Sequence, residues 1–195
     1  MKDIDLIKLL PELQPAVLHL DDHPGGEPMS RAVMVTYRLS TPPQRARIFD
    51  ESDRPQGDLL SPTNFPAEGC HEIWVGNNLA GLCSLELTAL QSKGETSFHL
   101  MLKAIYLAPV HRKTGLCRRL CEVAFEHVMQ QVLLLIMTTP DRTTRLFELE
   151  ADAHLYSLGG QAAIKIIAEL LESKVQLITA SRGYAVEAHT TTCNF

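Results

Sequence analysis

The chain has 195 residues, of which 45% are apolar and 21% charged, enough to bury one core of ordinary size. Its formal charge of -5 repels phosphate-rich partners, which excludes nucleic acid and anionic membrane as partners of the surface at large. Five cysteines, Cys70, Cys83, Cys117, Cys121 and Cys193, are an odd number in a chain too large to need staples, so reduced thiols and a cytoplasmic location are expected.

In chain order, Ile4, Leu6, Ile7, Leu9, Leu10 and Leu13 recur at helical spacing and predict a short helix ended by Pro15. Asp3, Asp5, Pro11 and Glu12 interrupt the same stretch, which therefore lacks the apolar run of an export signal. Residues 32–39 are β-branched and apolar enough for a strand, and 50–69 turn to Pro, Asp, Ser, Asn and Gly, the composition of a long loop. Strands are expected over 71–75, 80–89 and 97–107, joined by turns at Gly76-Asn77-Asn78 and over 91–95, a meander that runs straight into Pro109. The period then changes. Leu116, Leu120, Val123, Ala124 and Val128 make one face of a predicted helix over 114–130, with Arg118, Arg119, Glu122, Glu126 and Gln130 on the other. The apolar run 132–137, too short to cross a bilayer, is expected to be a buried strand. A helix capped by Thr143 or Thr144 is expected to reach Tyr156 and stop at Gly159-Gly160, followed by a helix over 161–173 and strands over 175–180 and 184–189. The expected class is α+β, one domain over 1–195 with a mixed, mainly antiparallel central sheet flanked by helices.

The chemistry concentrates between the third meander strand and the helix after it. The first N–H groups of a helix lack internal partners and face outward with the positive end of the helix dipole, so a pyrophosphate can dock there. Gly115 stands at that junction, and Arg112, Lys113, Arg118 and Arg119 surround it with positive charge in an otherwise acidic chain. Read alone, those four cations also fit a solvated helix face with an Arg118–Glu122 pair.

With Ile105-Tyr106-Leu107-Ala108-Pro109 before it and Arg112-x-x-Gly115-x-Cys117 opening the helix, the segment resembles the GNAT superfamily of acyl-CoA-dependent N-acetyltransferases. The hairpin at Gly76-Asn77-Asn78-Leu79-Ala80-Gly81 is similar to that family's paired central strands, and the resemblance extends over 72–160. It implies a GNAT-like fold and acetyl-CoA as co-substrate. The backbone of Ile105, Tyr106 and Leu107 would meet the pantetheine arm and acyl carbonyl, and Arg112, Lys113, Thr114, Gly115, Leu116, Cys117 and Arg118 the pyrophosphate. A second likeness is the family's helix ending in Ala-x-x-Leu-Tyr-x-x-Leu-Gly, here Ala151 to Gly159, which implies Tyr156 as the donor of a proton to the departing CoA thiolate. Two departures stand out: Cys117 where the family has Gly or Ala, and the helix over 161–173 where the family goes straight to strand.

Attack on a thioester needs a neutral amine, and an alkylamine of pKa about 10.4 is overwhelmingly protonated near neutral pH, so a base is required. Some members of the family carry a glutamate where this chain has Met101. Among Glu72, Glu86 and His99 on the central strands, His99 and Glu86 are the leading candidates, with a water chain to a more distant carboxylate left open. No metal site is expected, since the spacing of Cys117, Cys121 and His127 matches no zinc pattern. The expected partner is a small-molecule or peptide amine, with neither nucleic acid nor membrane and with a homodimer left open. The alternative is an acyl-CoA-binding regulatory module that has lost catalysis.

Overall fold

The computed structural model describes residues 16–18, 33–37, 40–49, 65, 70–92, 95–138, 146–155, 158–182 and 185–194. The predicted helix before Pro15 lies outside these residues, as does the loop over 50–69 apart from Phe65, which is buried.

Seven strands form one sheet in sequence order: β1 Ala16–Leu18, β2 Val33–Tyr37, β3 Cys70–Val75, β4 Asn78–Ser92, β5 Glu95–Leu107, β6 Leu146–Leu155 and β7 Ala185–Asn194. The first five pair antiparallel and the last two add in parallel, so the class is α+β with a mixed, mainly antiparallel sheet. Helix α1, Pro42–Ile48, follows β2; α2, Leu116–Thr138, and α3, Leu158–Arg182, are the crossovers that parallel pairing demands.

The larger core lies between the sheet and the two long helices. Val33, Ile73, Cys83, Leu85, Phe98, Leu100 and Leu102 of the sheet meet Leu120, Phe125, Met129, Ile167 and Leu171 of α2 and α3. On the opposite face a smaller cluster of Ile48, Phe49, Phe65, Trp74, Leu82 and Tyr106 lies beneath α1. That face also carries a buried polar group. Glu72, fully buried, accepts hydrogen bonds from the Arg45 guanidinium at 2.8 Å, the Ser40 amide at 2.8 Å and the Ser40 hydroxyl, while Arg45 also donates to the Phe65 carbonyl at 3.1 Å.

Three predicted elements are corrected. Residues 132–137 form no strand: they continue α2, because Val128, Val132, Leu135 and Ile136 prolong its buried stripe while Leu134 is 42% exposed, and a six-residue apolar run fits either element. The predicted helix ending at Tyr156 is strand β6. Phe147, Leu149, Ala151, Ala153 and Leu155 alternate with Glu148, Glu150, Asp152 and His154, a two-residue period that suits a sheet. The predicted strand over 175–180 belongs to α3, whose apolar spacing of Ala163, Ile164, Ile167 and Leu171 extends to Val175. The helix expected over 161–173 is therefore no extra element, since α3 joins β6 directly to β7.

Candidate functional site

The site is built around the last third of β5. In the β4–β5 ladder Leu85 faces Leu102 and Ser84 faces Ala104, which leaves Lys103 as an extra residue, a β-bulge. The bulge keeps the apolar side chains on the helical core. Phe98, Leu100 and Leu102 point there before it, and Ile105 and Leu107 pack there after it, which strict alternation would forbid.

Among the described residues, pairing of β5 with β6 runs from Glu95↔Leu146 to Leu102↔Ala153 and stops at the residue before the bulge, although β5 continues to Leu107 and β6 to Leu155. The two strands thus form a fork. The Ala108 amide donates to the Ala80 carbonyl at 2.9 Å, which sets the phase of the ladder: Tyr106 exchanges hydrogen bonds with β4, whereas Ile105 and Leu107 direct their N–H and C=O groups into the fork. Gly81 lets the strands lie this close. A Cβ there would run into the Leu107 side chain and the Tyr106 carbonyl.

Beyond β5 the chain makes one 3-10 turn, Pro109–His111, closed by His111 donating to Ala108 O at 2.9 Å and Arg112 donating to Pro109 O at 3.2 Å. The Thr114 hydroxyl donates to His111 O at 2.7 Å, and Lys113 and Gly115 both take left-handed backbone angles, φ 62° and 80°. A Cβ on Gly115 would meet nothing within 4 Å, so its backbone conformation rather than lack of space is what favours glycine. The Gly115 carbonyl receives the Arg119 amide at 3.3 Å, leaving the N–H groups of Leu116, Cys117 and Arg118 without partners inside the helix.

Of the residues predicted for the cofactor, Ile105, Leu107, Arg112, Lys113, Thr114, Gly115 and Cys117 are brought together in this stretch. Tyr106 is turned away: its ring is buried on the far face, 4.7 Å from that of Phe49 and 5.5 Å from the Arg112 guanidinium carbon. Leu116 buries its side chain in the core and leaves its amide to the loop. Arg118 pairs with Glu169 at 3.2 Å along the helices, and Arg119 with Glu122 at 2.9 Å. Arg112 also donates from Nε to the Leu107 carbonyl at 3.0 Å, which fixes the loop on the strand it follows.

The predicted catalytic groups are dispersed. Glu86 is exposed and paired with Lys103 at 3.1 Å. His99 is half-buried on the face away from the helices, in register with Thr88 of β4 and Glu150 of β6. Glu72 is fully buried beneath Arg45 and Ser40, which hold its carboxylate. Tyr156 lies outside the described residues, and the helix expected to carry it is β6.

Sequence reading missed two features. Cys117 and Cys121 lie one turn apart on α2, and the nearness of the Cys121 thiol, with help from Arg118 and against partial burial, holds the Cys117 thiol below its ordinary value. The buried imidazoles of His71 and His127 meet Nε2 to Nδ1 at 2.9 Å and tie β3 to α2. The four-residue spacing of the cysteines was a usable signal; a histidine contact across 56 positions leaves none in a single sequence.

Among the described residues no group of three or more His, Cys, Asp or Glu side chains is arranged to hold a metal, and no helix is long and apolar enough to cross a membrane. No family model matches the chain, and no curated protein matches it.

Proposed function

We propose that the protein is an acyl-CoA-dependent N-acyltransferase of GNAT type, which transfers an acetyl group to an amine by direct attack in a ternary complex. The observation that carries this reading is the fork. A strand edge open among the described residues, with the Ile105 N–H and C=O and the Leu107 N–H directed outward while the Leu107 carbonyl accepts from Arg112, leads within eight residues to the amides opening α2. A pantetheine arm has amides of its own and can add to that edge as an extra strand would, while its pyrophosphate meets the Leu116, Cys117 and Arg118 N–H groups beside Arg112 and Lys113. Polar groups aimed at the thioester carbonyl oxygen would stabilise the charge that develops on it.

His99, half-buried on β5, is the base this reading favours because an imidazole can take up and pass on a proton near neutral pH, whereas Glu72 sits in a buried ion pair and Glu86 pairs with Lys103. General-base help is worth roughly 10²–10⁴ in rate. Tyr156 remains the proposed proton donor to the leaving thiolate. The placing of Glu72 and Glu86 also favours a second reading, an acyl-CoA-binding module without turnover.

Calorimetric titration with acetyl-CoA and CoA tests the first step. Micromolar binding, lost in Arg112→Glu and in Gly115→Glu, supports the cradle; absence of binding to the folded wild type overturns both readings. CoA release that depends on an added amine then separates enzyme from binding module.

A further inference from the structure

Cys117 is the second residue of α2, within the turn whose amides lack helical partners, and its side chain is half-buried. Cys121 lies one turn further on, fully buried, and Cys83 of β4 belongs to the same core. All three are free thiols. The nearness of the two thiols one turn apart pushes Cys121 up while it draws Cys117 down, and burial pushes Cys83 up. The cluster thus pairs one half-buried thiol at a helix N-terminus, where a thiolate is stabilised, with a protonated neighbour one turn further along the same helix.

We propose that Cys117 is a peroxide-reactive site, resolved by Cys121, and that closing this pair opens the first turn of α2. The Cys117 thiolate attacks one oxygen of the peroxide; an S–O bond forms, the O–O bond breaks, and the departing oxygen leaves as water or an alcohol after taking up a proton. Sulfur loses two electrons and the peroxide gains them. Cys121 then gives up its proton and attacks the Cys117 sulfur, forming the S–S bond and releasing the sulfenic oxygen as water. Side chains four apart on a helix hold their Cβ atoms about 5–6 Å apart, whereas a disulfide needs about 3.5–4.5 Å. The bond therefore cannot close on an intact turn. The turn that must open is the one presenting the Leu116, Cys117 and Arg118 amides, so oxidation would remove the anion site as a unit.

This chemistry stands apart from the acyl-CoA reading and is tested without it. The reduced protein is treated with a small excess of hydrogen peroxide, alkylated, digested and mapped. Cys117 should be consumed at least tenfold faster than Cys70 and Cys83, giving a cross-link between the peptides that contain Cys117 and Cys121, together with faster amide exchange at the start of α2. In Cys121→Ser the reaction should stop at a sulfenic acid that dimedone captures. Equal reactivity of Cys117, Cys70 and Cys83, or a cross-link from Cys117 to another cysteine, overturns the proposal. The ranking of rates in the wild type decides it even where the variant does not fold.

Discussion

Two regions of this molecule combine cations with polar acceptors, and they use them in opposite ways. Around Glu72, beneath α1, Arg45, Ser40, Thr36 and the Phe65 carbonyl meet in a buried set in which the carboxylate is held from several sides. Around Gly115, at the end of β5, the first amides of α2 and the β5 edge at Ile105 and Leu107 have, among the described residues, no partner from the helix or from β6, the Leu107 carbonyl being taken by Arg112 instead, beside exposed Lys113. Satisfied polar groups hold a fold in one arrangement; polar groups without an internal partner are where a ligand finds its own. The comparison teaches that charge alone locates no site, since the most deeply buried ion pair described here serves structure.

The sharpest way to break the contrast is Glu72→Ala, which leaves the Arg45 guanidinium buried without its counter-charge. Stability should fall by about 3–5 kcal/mol, read as a lower denaturant midpoint. Gly81→Ala comes next. Its new methyl group presses on Leu107 and on the Tyr106 carbonyl, so a loss of about 1–3 kcal/mol is expected together with weaker acetyl-CoA binding, measured on one preparation by melting and calorimetry. Gly115→Ala adds no clash but holds a side chain at φ 80°, at about 1–2 kcal/mol. Its effect should fall more on acetyl-CoA affinity than on melting, the reverse of Glu72→Ala. The smallest effect belongs to Glu86→Gln: the exposed pair with Lys103 contributes at most about 1 kcal/mol, so the midpoint should hardly move. A large loss of turnover in that variant would return Glu86 to the role of base.

The meander was legible because β-branched and apolar runs are separated by turn residues such as Gly76-Asn77-Asn78, and those signals are local. The start of α2 was legible for the same reason, its apolar stripe beginning at Leu116. The last third was not. Leu133, Leu134 and Leu135 are all apolar, yet α2 leaves Leu134 exposed and buries Leu135, and only the packing of α2 against the sheet distinguishes that from a strand. In β6 the alternation was present, but the motif likeness at Ala151 to Gly159 suggested a helix and outweighed the period. At the site, the sequence marks the loop from Arg112 to Cys117 but not the fork, because the loss of pairing beyond Leu102 is a relation between two strands. The network around Glu72 was equally hidden, its members lying up to 36 positions apart.

The bulge at Lys103 has a consequence in terms of chain length. Because one residue of β5, Lys103, stands where β4 supplies none between Ser84 and Leu85, removing it would restore a regular ladder without turning any later residue over. Ala104 would still face Ser84, and Ile105 and Leu107 would still point into the helical core. What would change is the course of the strand, since a bulge bends and twists the backbone that carries it. Lys103 is thus a residue whose removal would alter the direction of the strand while leaving register and facing in place, and it separates the shape of the opening from the side chains that line it.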